Sequence, residues 1–285
     1  MAADGAICVK AHYEPGGPAS AALPTPTPEM FRDLVRAAHE KGLSVIIHAN
    51  VTTGQQIAYD SGADMIAHTI SDGLGPDGQL TKDANEILSR IAARGTAYQP
   101  TLQALQGFLA LLDEKYLRDP RLLEVVPRDL LAWFSTVDGG RFRQQMLTNA
   151  GGEAAFRSRA ALRLQTYDLV MRKLVSSKAR LIFGTDTPAN ATYGNIPGLN
   201  GRLEMDQWIR SGVSEEQLFR ALTIENAKAF QLDKDLGTIE VGKRAHLLLL
   251  RADPLANVAA YDSIDQVILK GRPMPRESFS ARHLQ

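Results

Sequence analysis

Two histidines, one lysine and one aspartate hold places in this sequence where a side chain could do chemistry. Each ends a short run of the kind that forms a β-strand. Lys10 closes Ala6-Ile7-Cys8-Val9, His48 closes Val45-Ile46-Ile47, His68 closes Asp64-Met65-Ile66-Ala67, and Asp186 follows Leu181-Ile182-Phe183-Gly184-Thr185. In a parallel α/β arrangement the C-terminal ends of the strands meet at one rim, where such folds place their active sites. Imidazole nitrogen and carboxylate oxygen are the ligands of catalytic zinc, which keeps an open position for water. Two histidines and an aspartate at one rim therefore point to metal-assisted hydrolysis, with a carboxylate to carry the proton. A plainer reading stands beside this one. A histidine at a strand end is commonly a hydrogen-bonded structural residue. Asp186, between Thr185 and Thr187, has the composition of a turn or a helix cap. Lys10 alone is an ordinary rim charge. Spacing by itself leaves both readings open.

The elements that must position these residues alternate along the chain. The strand Ala6–Lys10 is followed by a Pro- and Gly-rich loop, Tyr13 to Thr27. Pro28 to Lys41 has helical periodicity, with Phe31, Leu34, Val35 and Ala38 on one face, and Gly42 stops it. Leu43 to His48 reads as a strand covered on both faces. Then come a helix over Thr53 to Ser61, the strand Asp64–His68, a helix over Lys82 to Arg94 and a strand over Thr96 to Thr101. Strands and helices joined by short turns predict a parallel α/β sheet or barrel. From Leu102 to about Ser177 the rhythm breaks into a mostly helical insertion carrying Trp133, Phe134, Phe142 and Phe156, with a helix over Leu164 to Leu174. The pattern resumes with a strand over Ala179 to Asp186 and helices over Leu203 to Ser211 and Ser214 to Ala221. After Gly237 short strands follow at Thr238 to Val241, His246 to Leu250 and Gln266 to Leu269, a β appendage.

Composition narrows the function classes. The 285 residues carry no formal net charge, with 44% hydrophobic and 22% charged residues, as in an ordinary globular protein. Neutral charge argues against a nucleic-acid partner or an anionic membrane surface. Cys8 is the one cysteine, which excludes an intrachain disulfide and a thiolate-rich metal site. No apolar run approaches the roughly 20 residues of a membrane span. Met1 to Gly5 lacks the basic, apolar pattern of a signal peptide. A cytoplasmic location is the mild expectation, with an upstream leader left open.

Several segments resemble the amidohydrolase superfamily, in its imidazolonepropionase-like and prolidase-like branch. Val9-Lys10-Ala11, Val45-Ile46-Ile47-His48-Ala49-Asn50, Ala63-Asp64-Met65-Ile66-Ala67-His68-Thr69 and Gly184-Thr185-Asp186-Thr187 occur in the order of that family's strands four, five, six and eight. The tail is similar too: Ala221 to Ala229, Leu236-Gly237-Thr238-Ile239-Glu240-Val241-Gly242-Lys243-Arg244-Ala245, and Ala252-Asp253-Pro254-Leu255. The resemblance implies a (β/α)8 TIM-type barrel over residues 1–236, interrupted by the insertion at about 102–177, and a β-sandwich remnant over 237–285. It implies a hydrolase of carbon–nitrogen bonds, amide or cyclic amide, using a divalent metal with zinc favoured, as one or two ions. His48 and His68 would be metal ligands, Lys10 a carboxylated lysine bridging two metals, and Asp186 both ligand and proton shuttle.

The family's opening His-x-His is not found among the histidines His12, His39, His48, His68, His246 and His283. The barrel is accordingly expected to lack roughly its first three βα units. His246 stands where the family usually has Asp. Two competing expectations follow: an inactive fragment or pseudoenzyme, and a non-catalytic binding protein using the helical insertion. A small-molecule substrate is expected, with specificity set by the loops His12 to Pro26, Ser71 to Gln79 and Ala189 to Asn200; a homo-oligomer is one expectation for the assembly, whose state the sequence leaves open.

Overall fold

The computed structural model describes residues 2–16, 24–113, 115–188 and 193–284. Residues 17–23 of the expected specificity loop His12 to Pro26, and 189–192 of the loop Ala189 to Asn200, therefore lie outside the described residues. The chain divides into two compact units. One comprises Met1–Thr101, Leu162–Phe183 and Ser211–Lys243; the other comprises Leu102–Ala161, Gly184–Arg210 and Arg244–Gln285.

The first unit is built on four parallel strands in sequence order: β1 (Cys8–Tyr13), β2 (Ser44–Ala49), β3 (Met65–Ala67) and β4 (Ala97–Gln99). Helices make the crossovers, and their ends are chemically marked. In the helix Pro28–His39, Thr27 Oγ1 accepts the Met30 N–H at 3.3 Å and Pro28 takes the first turn, where a missing N–H costs nothing. Phe31, Val35 and Ala38 form its buried stripe. The helix Lys82–Arg94 is capped by Thr81 and ends on Gly95 at φ 75°, a left-handed turn that glycine takes without strain. Strand β2 is buried except at His48, as expected of a parallel strand covered on both faces. Along one face of the sheet Ile46, Met65, Ala67 and Ala97 pack with Ile182, Ala229 and Phe230 into an apolar cluster.

Two expected strands take other forms. The run Ala179 to Asp186 makes a single bridge, Leu181 to Tyr98: Tyr98 N–H donates to Arg180 O at 2.9 Å and Ile182 N–H to Tyr98 O at 2.9 Å. The next donor of this parallel ladder would be the N–H of residue 100, which is a proline, so the ladder ends there; the peptide of Phe183 points to the other edge. Phe183 N–H donates to Asn226 Oδ1 at 3.1 Å, and Asn226 Nδ2 donates to Phe183 O at 3.1 Å. Thr238 to Val241 is irregular, since Lys243 Nζ folds back onto the carbonyl of Asp233 and Thr238 Oγ1. Ile239 and Val241 stand exposed. The helix expected at Leu164 to Leu174 is longer, Glu153–Ser176.

The second unit contains a helical cluster and a three-stranded antiparallel sheet, β5 (Leu247–Leu250), β6 (Ile264–Leu269) and β7 (Arg272–Pro275), with β6 in the centre. Leu111, Leu122, Val126, Leu131, Phe134, Tyr193, Ile196 and Leu199 form the apolar core of the helical part. The helix Gln103–Ala110 crosses the turn Tyr193–Asn195 closely, with Gly107 and Gly194 meeting backbone to backbone. Among the described residues no helix is long and apolar enough to cross a membrane.

Candidate metal centre

Strand register decides which side chains meet. In the β1–β2 pair Lys10 lies opposite Ile46 and His12 opposite His48, while His48 lies opposite Ala67 in the β2–β3 pair. Side chains alternate along a strand, so Lys10 and His12 share the face of His48. His68 follows the last residue of β3 and takes φ 79°, a left-handed conformation rare for a side-chain-bearing residue. Its N–H still donates to Gln99 O at 2.8 Å. The His48 and His68 rings lie with centroids 4.2 Å apart, tilted by 58°. The His12 ring lies 5.2 Å from that of His48.

The two central histidines differ in their partners. His48 Nε2 is 2.6 Å from Glu14 Oε2, and the same oxygen accepts Asn50 Nδ2 at 2.8 Å. His68 is buried; its Nδ1 is hydrogen-bonded to Thr101 Oγ1 at 2.7 Å, and its Nε2 is buried with no hydrogen-bond partner. Burial, helped by the nearby His48, Lys10 and His12, pushes the His68 pKa down to about 3. The ring is therefore neutral near pH 7, the state in which imidazole binds a metal.

Beneath the pair lies Gln55, a fully buried residue. Its Nε2 is 3.1 Å from Ala49 O, 3.0 Å from His68 O and 2.8 Å from Tyr98 Oη. One amide thus ties the end of β2, the His68 peptide and β4 together. Burial raises the pKa of the Tyr98 phenol, which stays protonated.

The expected ligands divide as follows. Lys10, His48 and His68 all belong to the sheet of the first unit; Lys10 is exposed on β1. Asp186 belongs to the second unit and has φ 56°. The other histidines serve elsewhere: His39 pairs with Asp64 at 2.8 Å, His246 Nδ1 accepts the Lys270 N–H at 3.3 Å, and His283 Nε2 lies 2.8 Å from Glu277 O. Sequence reasoning missed His12, Glu14, Asn50 and Thr101. The signal for the first two was present, because Lys10-x-His12-x-Glu14 continues the period-2 alternation of β1 past its expected end.

The donor chemistry fits the divalent metal that the resemblance implies. A buried, neutral imidazole nitrogen without a partner, oriented by a hydroxyl on its other nitrogen, has the arrangement of a metal ligand with outer support. Among the described residues, however, no three His, Cys, Asp or Glu side chains already converge on a common point.

No curated protein matches this chain in sequence. Among solved structures it is similar to an Xaa-Pro dipeptidase with methionine bound in its active site, at 22% identity and a TM-score of 0.66, covering 96% of this chain and 56% of that one. The ochratoxinase of A. niger is similar at 16% identity and a TM-score of 0.64, covering 96% and 52%. Phenylurea hydrolase B follows at 18% identity and a TM-score of 0.62, covering 97% and 55%. At these identities the likeness is one of fold, and the chain spans little more than half the length of each. The amidohydrolase family model matches residues 14–274. Its parallel strands and helical crossovers are those of the family's TIM barrel, and the chain belongs to the amidohydrolase family.

Proposed function

We propose that this chain carries part or all of the active site of a metal-dependent hydrolase acting on carbon–nitrogen bonds of a small amide or cyclic amide. The observation that carries the reading is the buried, unpartnered Nε2 of His68 beside the His48 ring. Burying a polar atom without a partner is unfavourable unless something else satisfies it. The names of the structural relatives, a dipeptidase and a phenylurea hydrolase among them, support the bond class.

In this reading His48 and His68 hold the ion, with zinc as the expected metal, and Lys10, carboxylated on its amine, and Asp186 are further ligands by resemblance. A bound divalent metal supplies a Lewis acid that polarises a carbonyl and acidifies water. Thr101 fixes the His68 ring by its hydrogen bond to Nδ1. Gln55 holds the His68 peptide in place from below. Asp186 would take the proton from attacking water at its carboxylate and deliver it to the leaving nitrogen. The rival reading, an inactive member of the family, draws on the missing His-x-His and on the absence of three convergent donors among the described residues.

Metal content per chain of the purified protein, measured by plasma mass spectrometry, separates them. About one ion per chain, lost in the double variant His48→Ala, His68→Ala, is the expected result. A metal-free protein after exposure to zinc, manganese and iron would overturn the proposal.

A further inference from the structure

The carboxylate of Glu14 reaches the histidine cluster at His48, and neither the motif reading nor the resemblance gives it a role. It sits where the alternation Lys10, His12 places it, on the face of His48. Its Oε2 lies 2.6 Å from His48 Nε2, so one proton now occupies the space between a nitrogen and an oxygen that are both metal donors. Metal–nitrogen and metal–oxygen bonds of about 2.1 Å at a tetrahedral angle would set those atoms roughly 3.4 Å apart. For this pair of atoms the change required is therefore under an ångström, and the Glu14 side chain is 38% exposed. Asn50 steers the carboxylate through the 2.8 Å contact to the same oxygen, and Asn50 Oδ1 is itself buried without a partner. The His68 ring, whose Nε2 is buried without a partner, has its centroid 4.2 Å from that of His48.

We propose that Glu14 is a metal ligand, completing with His48 and His68 a set of two imidazoles and one carboxylate within the first unit. Such a set suits zinc, manganese or iron in the divalent state. The inference rests on the histidine reading above and adds the carboxylate to it. It also accounts for the lack of three convergent donors: Glu14 is held on the proton of His48 until an ion replaces that proton.

Cobalt(II), whose visible absorption reports ligand type and coordination number, is the probe. The whole 285-residue chain is titrated with cobalt as wild type, Glu14→Gln, Glu14→Asp and His48→Ala, His68→Ala, each checked for folding by circular dichroism. Glu14→Gln is expected to weaken cobalt affinity roughly 100-fold and shift the spectrum, with partial rescue by Glu14→Asp, while metal-free melting stays the same. Wild-type or tighter affinity in Glu14→Gln, with binding still abolished in the double histidine variant, overturns the role of Glu14 and leaves the histidine site intact. No binding by the wild type, or binding that survives the double variant, overturns both. If Glu14→Gln fails to fold, Glu14→Asp decides: an altered cobalt spectrum supports ligation and an unaltered one overturns it.

Discussion

Trp208 donates its indole N–H to Glu204 Oε1 at 2.8 Å, and the carboxylate so engaged is fully buried. Glu204 also accepts the backbone N–H groups of Leu102 and Gln103, at 2.9 and 2.5 Å, where the helix Gln103–Ala110 begins. A carboxylate from the helix Asn200–Arg210 thus serves amides that have no partner within their own helix. Burial outweighs these three donors and raises the Glu204 pKa from 4.5 to about 7. The folded chain then binds a proton that the unfolded chain has released, so this residue's contribution to stability falls as pH rises from about 4.5 to about 7. Denaturant unfolding across that window should show the slope, and Glu204→Gln should remove it. Glu204→Ala leaves three buried donors unpaired and is expected to cost about 3 kcal/mol or more.

His68 gives the opposite sign. Its folded pKa lies near 3, below the ordinary 6.5, so between those values the unfolded chain binds the extra proton. Its contribution to stability is complete above about pH 6.5 and is lost as pH falls toward 3. In the metal-free chain the His68 ring resonances should show no titration down to pH 5 by NMR. A midpoint near 6.5 would contradict the burial seen here.

Thr101→Val removes the hydrogen bond to His68 Nδ1 while keeping the side chain's shape. Loss of such outer support typically weakens metal binding by about 10-fold to 100-fold. Calorimetric titration with zinc checks this, and unchanged affinity would mean that Thr101 does not orient the ring.

A Cβ placed on Gly107 would collide with the carbonyl oxygen of Gly194, and one on Gly194 with that of Gly107. Backbone cannot step aside as a side-chain tip can, so Gly107→Ala is expected to destabilise the second unit by about 1–3 kcal/mol. Faster limited proteolysis between residues 102 and 161 is the corresponding observation.

Asp186→Asn keeps the size of the side chain and removes its proton-accepting charge. Under the proposed function, turnover of an amide substrate should fall by roughly a thousandfold with melting unchanged. Retained turnover would remove Asp186 from the proton-carrying role.

The sheet of the first unit was legible because each element carries its own local mark: Thr81 and Gly95 bound one helix, and Val45-Ile46-Ile47 reads as a buried strand from any direction. His48 and His68, whose ring centroids the structure brings to 4.2 Å, stand out in the sequence by their places after such runs. What the sequence hid depends on pairing at long range. Thr101 reaches His68 across 33 positions, and Gln55 reaches Tyr98 across 43. Neither contact has a local periodicity to betray it. The strand expected after Ala179 has the composition of a ladder but makes a single bridge, because the partner position that would donate next is Pro100; Asn226, far along the chain, takes up the peptide of Phe183 on the other edge.

The buried amide of Gln55 has a thermodynamic consequence. It ties the peptide of His68 to β2 and β4 before any ion arrives. The backbone that presents this imidazole is already held, so capture of the proposed metal would not have to freeze it. Binding calorimetry should accordingly find a small entropic penalty in the native chain and a larger one in Gln55→Ala, a difference set by a residue that never touches the ion.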